Sequence, residues 1–359
     1  MAAAATPVGR ERGWGPMVLA LATCLAVAAA PFWPPAAGLA AALVRGLVPV
    51  EQLLLLVVPT LAACAAVAWW AGGRLAPALA WLALAAWVLG QPLPAESPGY
   101  AAVARGWALA LAAAFGLVSF VRPRLSFFVR ALSALGVACA VALLWLVLTG
   151  HDPGRLAGVM GTELARRSQA SLDAWQRHLR TAGVWRTVSE RAPELAARAT
   201  TSAERLGGLP ARTAPLVPAL LGLESLAALA LAWGLHHRLS RVRLGPPLGS
   251  LKTFRFNDQL VWGLVAGVTI VILPSLAPLR AVGFNLLLFF GALYALRGLG
   301  ILRWLASERV ALAAVIGVAL LLPIVGLELL AGMLSGVALA IGLGDTWGDW
   351  RNRRARQVS

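Results

Sequence analysis

The sequence is poor in charged residues and contains almost no lysine, tyrosine or cysteine. Only 13% of its 359 residues are charged, whereas 60% are hydrophobic, and the mean hydropathy is +0.77. An average soluble domain has about 25% charged residues, and a soluble chain with so few would expose large apolar patches and aggregate. The composition therefore excludes an ordinary soluble enzyme and predicts a polytopic membrane protein.

The scarcity of cysteine and histidine excludes the common metal and redox sites. The three cysteines, Cys24, Cys64 and Cys139, lie far apart in apolar stretches, without C-x-x-C spacing and without a histidine placed to complete a metal site. We expect them to be small buried hydrophobic side chains, and we expect no metal and no cofactor. Motifs of hydrolases, metalloproteases and phosphate-binding loops are also missing. The sequence therefore predicts no catalytic residues and no enzyme.

The charge that is present is mostly arginine. The formal net charge is +16, from 31 basic and 15 acidic residues, and Lys252 is the only lysine. Most arginines stand in short loops between apolar runs, whereas a nucleic-acid-binding protein concentrates its cations on one solvated face. This placement argues against nucleic acid as a partner. It favours contact with the anionic cytoplasmic surface of a lipid bilayer.

Apolar runs long enough to cross about 30 Å of hydrocarbon recur along the chain. They lie at 16–32, 36–72, 75–91, 101–121, 126–149, 214–238, 259–279, 282–303 and 310–345. The run 310–345 is too long for one upright crossing and is interpreted as a hairpin of two spans. The run 36–72 forms either two short helices or one span with a re-entrant piece. We predict an all-α bundle of about ten transmembrane spans, within a range of roughly 9–11.

A polar segment divides these spans into two halves. Residues 151–213 contain ten arginines, and their apolar positions recur at helical spacing, which is typical of an amphipathic helix. We therefore predict a membrane half of about five spans at 1–150, an amphipathic extracytoplasmic insert at 151–213, a second half of about five spans at 214–345, and a basic cytoplasmic tail at 346–359.

The arginines also predict the orientation. Loop 239–258 carries Arg241, Arg243, Lys252 and Arg255, which makes it the strongest cytoplasmic marker. With this loop inside, an even number of spans places both termini in the cytoplasm. The expected location is the bacterial inner membrane, with several crossings.

Three stretches of the second half carry a family resemblance. They are Phe254-Arg255-Phe256 before an apolar run, Asn285 opening a run that closes at Arg297-Gly298-Leu299, and the acidic, aromatic exit from Gly342 to Arg351. Over about residues 215–355 the chain resembles the YybS-like predicted membrane proteins, a bacterial family of unknown function. It differs from that pattern at Asn257-Asp258, where a proline often begins the span, and at Arg297, where glutamine is usual.

This family in turn resembles, at greater distance, the substrate-binding membrane subunits of energy-coupling-factor vitamin transporters and the cell-shape protein MreD. The resemblance implies that the protein binds a small molecule within its bundle, as a transporter subunit with a transporter protein partner. The alternative is a structural scaffold of a cell-envelope or division assembly, with envelope proteins as partners. The lipid bilayer is a partner in either case.

Polar residues within spans are the candidate ligand-binding residues, because holding them in hydrocarbon costs free energy. We single out Glu224, near mid-depth of its span, together with Asn285 and Arg297. These three side chains line a polar ligand site, or they make structural hydrogen bonds between helices. Arg297 is close enough to a span end for its guanidinium to reach the interface, and we expect Asp345 to cap the last span at the cytoplasmic surface. His236 and His237 are expected to be interfacial anchors.

Overall fold

A computed structural model describes residues 53–93, 98–150, 152–181, 183–251, 254–305 and 328–348, and the single positions 18 and 22. Within these ranges the regular secondary structure is entirely helical, which confirms the predicted all-α class. The predicted span 16–32, the beginning of 36–72, the first part of 310–345 and most of the tail lie outside the described residues.

Four helices lie in the described part of the first half, from residue 53 onward. They are α1 (Leu53–Trp70), α2 (Leu75–Gly90), α3 (Pro98–Val121) and α4 (Phe127–Thr149). Three helices with a more polar sequence follow, α5 (Pro153–Thr181), α6 (Val184–Arg191) and α7 (Pro193–Thr213).

Four more helices lie in the second half, within 217–305 and 328–348. They are α8 (Val217–Leu239), α9 (Val261–Ile272), α10 (Arg280–Leu305) and α11 (Glu328–Gly348). Short 3₁₀ helices precede α8, α9 and α10, at Ala214–Leu216, Asp258–Leu260 and Pro274–Leu279.

Among the described residues, five helical segments are long and apolar enough to cross a bilayer. These segments are Leu53–Trp70, Gly99–Val121, Phe127–Thr149, Ala214–Leu239 and Pro274–Arg303. Two further apolar helices, Leu75–Gly90 and Asp258–Ile272, are shorter. Each of the seven overlaps a run that the sequence analysis predicted as a span, and Pro274–Arg303 covers the end of 259–279 as well as 282–303. The protein is therefore a membrane protein with several apolar helices.

The core of the bundle forms where α8 packs against α1, α3 and α4. Trp233 of α8 is fully buried there and meets Phe115 of α3 edge to face, with ring centroids 5.7 Å apart. One polar contact joins the same helices, because the indole Nε1 of Trp107 donates to the Ser225 hydroxyl at 2.9 Å. Cys64 is buried in this core as expected, whereas Cys139 is exposed on α4, so the expectation was wrong for Cys139.

The turn between α1 and α2 is built on two glycines. Gly72 adopts a left-handed φ of +98°, and a Cβ on Gly73 would lie 2.6 Å from the carbonyl oxygen of Ala68. The amides of Gly72 and Gly73 donate to the carbonyls of Trp69 and Ala68. This is the Schellman arrangement, which satisfies the last carbonyl groups of a helix. The end of α1 therefore needs no other donor.

Small residues allow α10 to approach both of its neighbours closely. Gly263 of α9 packs against Phe290, and Gly267 against Leu287, so this G-x-x-x-G pair allows close packing of α9 against α10. Gly298 of α10 lies against the Ala338 backbone of α11, while Gly342 lies against the Tyr294 backbone. Because the higher-numbered residue of α10 meets the lower-numbered residue of α11, these two helices are antiparallel.

The described contacts place α10 and α11 in opposite directions. The first part of the predicted hairpin at 310–345 lies outside the described residues, so the hairpin stays a prediction. The pairing of α10 with α11 was not predicted, since hydropathy alone carries no information on which helices meet.

The polar helix α5 contacts the bundle through Arg167. The Arg167 guanidinium lies 4.3 Å from the ring centroid of Tyr100, at the beginning of α3, and its Nη1 donates to the Tyr100 hydroxyl at 3.3 Å. Within α5, Glu163 accepts from Arg167 at 2.9 Å and from Arg166 at 2.7 Å. Glu163, Arg167 and Tyr100 are all buried, so an ion pair inside α5 supports the contact of its middle with α3.

The Glu163 contact predicts a pH dependence of stability. Burial raises the pKa of the Glu163 carboxyl, but the hydrogen bonds and charges of Arg166 and Arg167 together outweigh burial, and the pKa lies below its ordinary value. Stability from a carboxyl with a lowered pKa is complete above the unfolded-state pKa of about 4.3, and it is lost as the pH falls through the folded-state pKa. We expect Glu163→Gln to lower the Tm of the detergent-purified protein near neutral pH. The difference from wild type should shrink as the pH falls below about 4.

Thermal unfolding at a series of pH values measures this difference. Glu190→Gln, at an exposed carboxylate of α6, is the matched control and should follow the wild type throughout. A Glu163→Gln difference that stays constant down to about pH 3 would show that the carboxylate charge does not hold α5 in place.

Candidate functional site

Three connecting segments meet at one end of the bundle, and we call their surface the basic face. It is formed by the α1–α2 turn (71–74), the α3–α4 loop (122–126) and the segment after α8 (240–257). These segments contain no aspartate or glutamate. Their arginines are Arg74, Arg122, Arg124, Arg241, Arg243 and Arg255.

A buried arginine holds two of these segments together. Arg130 of α4 is fully buried, and its Nη2 donates to the carbonyl of Pro123 at 2.7 Å and to that of Leu244 at 3.3 Å. The guanidinium also lies 4.2 Å from the ring centroid of Trp233, a cation–π contact that is strengthened by exclusion of water. The segment after α8 is thereby fixed against the α3–α4 loop.

The last turn of α8 is held by the same segment. The indole Nε1 of Trp233 donates to the Pro246 carbonyl at 3.1 Å, and His237 Nε2 lies 3.0 Å from the Gly245 carbonyl oxygen. Gly245 has a φ of +144°, and a Cβ there would lie 2.5 Å from the Pro123 carbonyl oxygen. These contacts fix the orientation of the neighbouring His236.

A cavity of about 320 Å³ opens between the α1–α2 turn and the end of α8. Its walls are apolar along α1 and α2, with Leu61, Ala65 and Trp81 among the lining residues. Its polar side comprises Arg74 at the beginning of α2 and His236, Ser240 and Arg241 at the end of α8. The volume lies at the lower end of the roughly 300–1,000 Å³ found for small-molecule sites.

His236 differs from the other polar groups of the cavity. Only 3% of its surface is exposed, and its Nε2 atom is buried with no hydrogen-bond partner among the described residues. Its ring packs beside Trp233, with centroids 6.1 Å apart. His236 borders the polar side of the cavity, and a buried polar atom without a partner costs free energy. His236 and His237 are both buried, so the expectation of interfacial anchors was wrong.

Asn285, one of the predicted ligand-binding residues, joins two helices. Its Oδ1 accepts from the amide of Ala219 at 2.8 Å, and its Nδ2 donates to the carbonyls of Pro215 and Ala281, each at 2.7 Å. The side chain therefore satisfies backbone groups at the beginning of α8. All three contacts are those expected from a structural asparagine.

Arg297 lies at the centre of a separate ionic cluster. Its Nη1 donates to Asp258 at 2.6 Å, and its Nε donates to Asp345 at 3.1 Å. Arg297 and Asp345 are fully buried, whereas the Asp258 side chain is 53% exposed. The guanidinium lies 5.4 Å from the Phe256 ring centroid. The cluster joins α10 to α11 and to the beginning of α9.

Two expectations about this cluster were wrong. Arg297 does not extend to an interface, because its side chain is enclosed between carboxylates, and Asp345 is buried instead of capping α11 at a surface. The carboxylates lie 39 and 48 residues away along the chain, so no local pattern shows the pairing. The two departures from the family pattern, Asp258 and Arg297, contact each other.

The three predicted ligand-binding residues do not share one set of contacts. Asn285 meets the beginning of α8, Arg297 meets Asp258 and Asp345, and Glu224 is half-buried farther along α8. A ligand role for Glu224 stays a prediction.

The sequence analysis missed the contacts of Arg130 and the positions of Arg74 and His236 at the cavity. An arginine inside the apolar run 126–149 was the signal for Arg130, since intramembrane charges mark functional or structural sites.

Residues 206–346 match the model of a family described as predicted membrane proteins, DUF2232. The match confirms the predicted resemblance of the second half to a membrane protein family of unknown function. It includes the Asp258–Arg297–Asp345 cluster and the α8 side of the cavity, whereas the α1 and α2 walls lie outside it. No curated protein and no solved structure matches the chain. The distant resemblances to vitamin-transporter subunits and to MreD stay predictions.

The ionic cluster predicts a ranking among three substitutions. Arg297→Gln leaves Asp345 buried without its cation, and removing one partner of a buried pair costs about 3–5 kcal/mol of unfolding free energy. Asp345→Asn leaves the buried guanidinium with only a half-exposed partner and should cost a similar amount. Asp258→Asn removes a half-exposed partner, for which the expected loss is below about 1 kcal/mol.

Thermal unfolding in one detergent compares the three variants directly. The double variant Arg297→Gln with Asp345→Asn removes both buried charges and should be more stable than Arg297→Gln alone. Equal losses for Asp345→Asn and Asp258→Asn would contradict the different burial of the two carboxylates.

Proposed function

We propose that this membrane protein binds a small molecule in the cavity between α1, α2 and α8, as a substrate-binding subunit of a transporter would. The observation that carries the proposal is the cavity itself, because it combines apolar walls with a few polar groups at one end. Ligand pockets commonly have this composition. This cavity is separate from the ligand site expected around Glu224, Asn285 and Arg297, which stays a prediction.

The side chains at the cavity support binding in preference to catalysis. Among the described residues, no group of three histidine, cysteine, aspartate or glutamate side chains could hold a metal ion. The polar side chains at the cavity are two arginines, a histidine and a serine. These groups are suited to hydrogen-bonding a ligand, and the described lining of the cavity includes no carboxylate to pair with them in acid–base chemistry. The proposal is therefore a binding protein in a bacterial inner membrane, with no reaction of its own.

Retention of a small molecule tests this function. The protein is purified in a mild detergent and examined by native mass spectrometry for bound molecules. Ala65→Phe places a large side chain at the half-buried wall of the cavity, and we expect it to abolish a bound species that wild type retains. Ala140→Phe makes the same change at an exposed position of α4 and should retain that species.

The alternative function, a scaffold of an envelope assembly, predicts a different result. A scaffold should co-purify with envelope proteins in amounts that Ala65→Phe does not alter, and it should carry no small molecule that this variant removes. Loss of the bound species in both phenylalanine variants would contradict the proposed cavity. Yield and Tm of each variant are measured first, so that unfolding is not mistaken for loss of binding.

A further inference from the structure

We infer that the molecule held in this cavity is an amphiphilic anion, with an oxyanion head group between Arg74, Arg241 and the beginning of α2. This inference rests on the proposed function and adds the chemical class of the ligand. Its apolar part would lie along α1 and α2. Four separate features of the cavity lead to this class.

The first feature is the helix end at the cavity. The N-terminus of α2 lies here, with Arg74 at its N-cap position, no side-chain cap and no acidic residue in its first turn. A helix N-terminus attracts anions through its free amides and its dipole. The carbonyl end of α1 is adjacent, and the amides of Gly72 and Gly73 already satisfy the carbonyls of Trp69 and Ala68 there. The cavity therefore presents donors from the beginning of α2 beside carbonyls of α1 that already have partners.

The second feature is the pair of arginines. Arg74 and Arg241 border the cavity from opposite chain segments and are both exposed. Neither forms an ion pair with another described residue. Guanidinium groups bind carboxylates and phosphates in a bidentate geometry. Two such groups facing one cavity favour an oxyanion.

The third feature is the absence of acidic residues in the loops that form the basic face. The segments 71–74, 122–126 and 240–257 carry only positive formal charges. A cleft lined by one sign of charge beside low-dielectric walls concentrates ions of the opposite sign. A neutral or cationic ligand would gain nothing from this surface.

The fourth feature is the contrast between the two ends of the cavity. His236 adds a buried Nε2 atom without a partner at the polar end. The other end is lined by Leu61, Ala65 and Trp81, which offer no charge. A ligand that uses both ends must itself have an anionic head and an apolar body.

Native mass spectrometry with defined probes tests the ligand class. Purified protein in a neutral detergent is titrated with phosphatidylglycerol, phosphatidylcholine, dodecyl phosphate or glycerol phosphate. We expect saturable binding of phosphatidylglycerol, dodecyl phosphate or both, at least roughly tenfold tighter than binding of phosphatidylcholine or glycerol phosphate. Preference for phosphatidylglycerol would identify a membrane lipid as the source, and preference for dodecyl phosphate would identify a single-chain amphiphile.

Substitutions then locate the head group. Arg74→Gln and Arg241→Gln should each weaken binding of the preferred anion by roughly tenfold, and His236→Phe should weaken it by roughly fivefold while keeping a ring beside Trp233. Arg124→Gln is the matched control, since it removes an exposed arginine of the basic face that does not border the cavity. It should change the affinity by less than about twofold.

Three outcomes would overturn the inference. Equal affinity for phosphatidylcholine would show that the anion is not recognised, and equal affinity for glycerol phosphate would show that the apolar walls are not used. Equal losses for Arg124→Gln and Arg74→Gln would indicate general attraction to the basic face. Failure of the proposed function is distinguishable from these results, because Ala65→Phe would then leave binding of every probe unchanged.

Discussion

A charged group that is buried in this bundle requires a hydrogen-bond acceptor or an opposite charge. This requirement explains the contacts of three buried arginines in the described structure. Arg130 is enclosed with backbone carbonyls and the face of Trp233, and Arg297 with the carboxylates of Asp345 and Asp258. Arg167 is paired with Glu163 beneath the ring of Tyr100. Each arginine joins elements that are distant in sequence, because an uncompensated buried charge is strongly destabilising. These contacts determine which helix ends meet.

Six further arginines belong to the segments of the basic face, and the meeting of helix ends there creates the cavity. The Arg130 contacts hold the segment after α8 against the α3–α4 loop, and the glycine turn after α1 brings the beginning of α2 close to the end of α8. One wall thus comes from the first half of the chain and the other from the segment that matches DUF2232. The apolar surfaces turned outward on α4, such as Val147 and Leu148, are suited to lipid. The cavity between these two parts of the chain combines apolar walls with cationic side chains. This combination suits molecules that also partition into bilayers.

Much of the fold was predictable, and the particular failures share one cause. Helices α1–α4 and α8–α10 overlap predicted spans, because the length of an apolar run is a local property tied to bilayer thickness. The directions of α10 and α11 were not predictable in this way, and neither was the burial of Asp345. Arg297 illustrates the difficulty: its position near a span end favoured an interfacial guanidinium, but its partners stand 39 and 48 residues away. The contacts of Asn285 with Ala219 and Pro215 likewise join segments that are far apart in the chain.

Composition and apolar run length alone established a helical membrane protein with basic loops, since both quantities depend only on transfer of side chains between water and lipid. The resemblance over the second half was also readable from short motifs. Tertiary structure alone decided that Arg74, His236 and Arg241 border one cavity, and that Arg297 contacts Asp258 and Asp345. The physical reason is that pairing between helices depends on side-chain shape and on hydrogen-bond partners contributed by distant segments, and a linear sequence does not display those partners side by side.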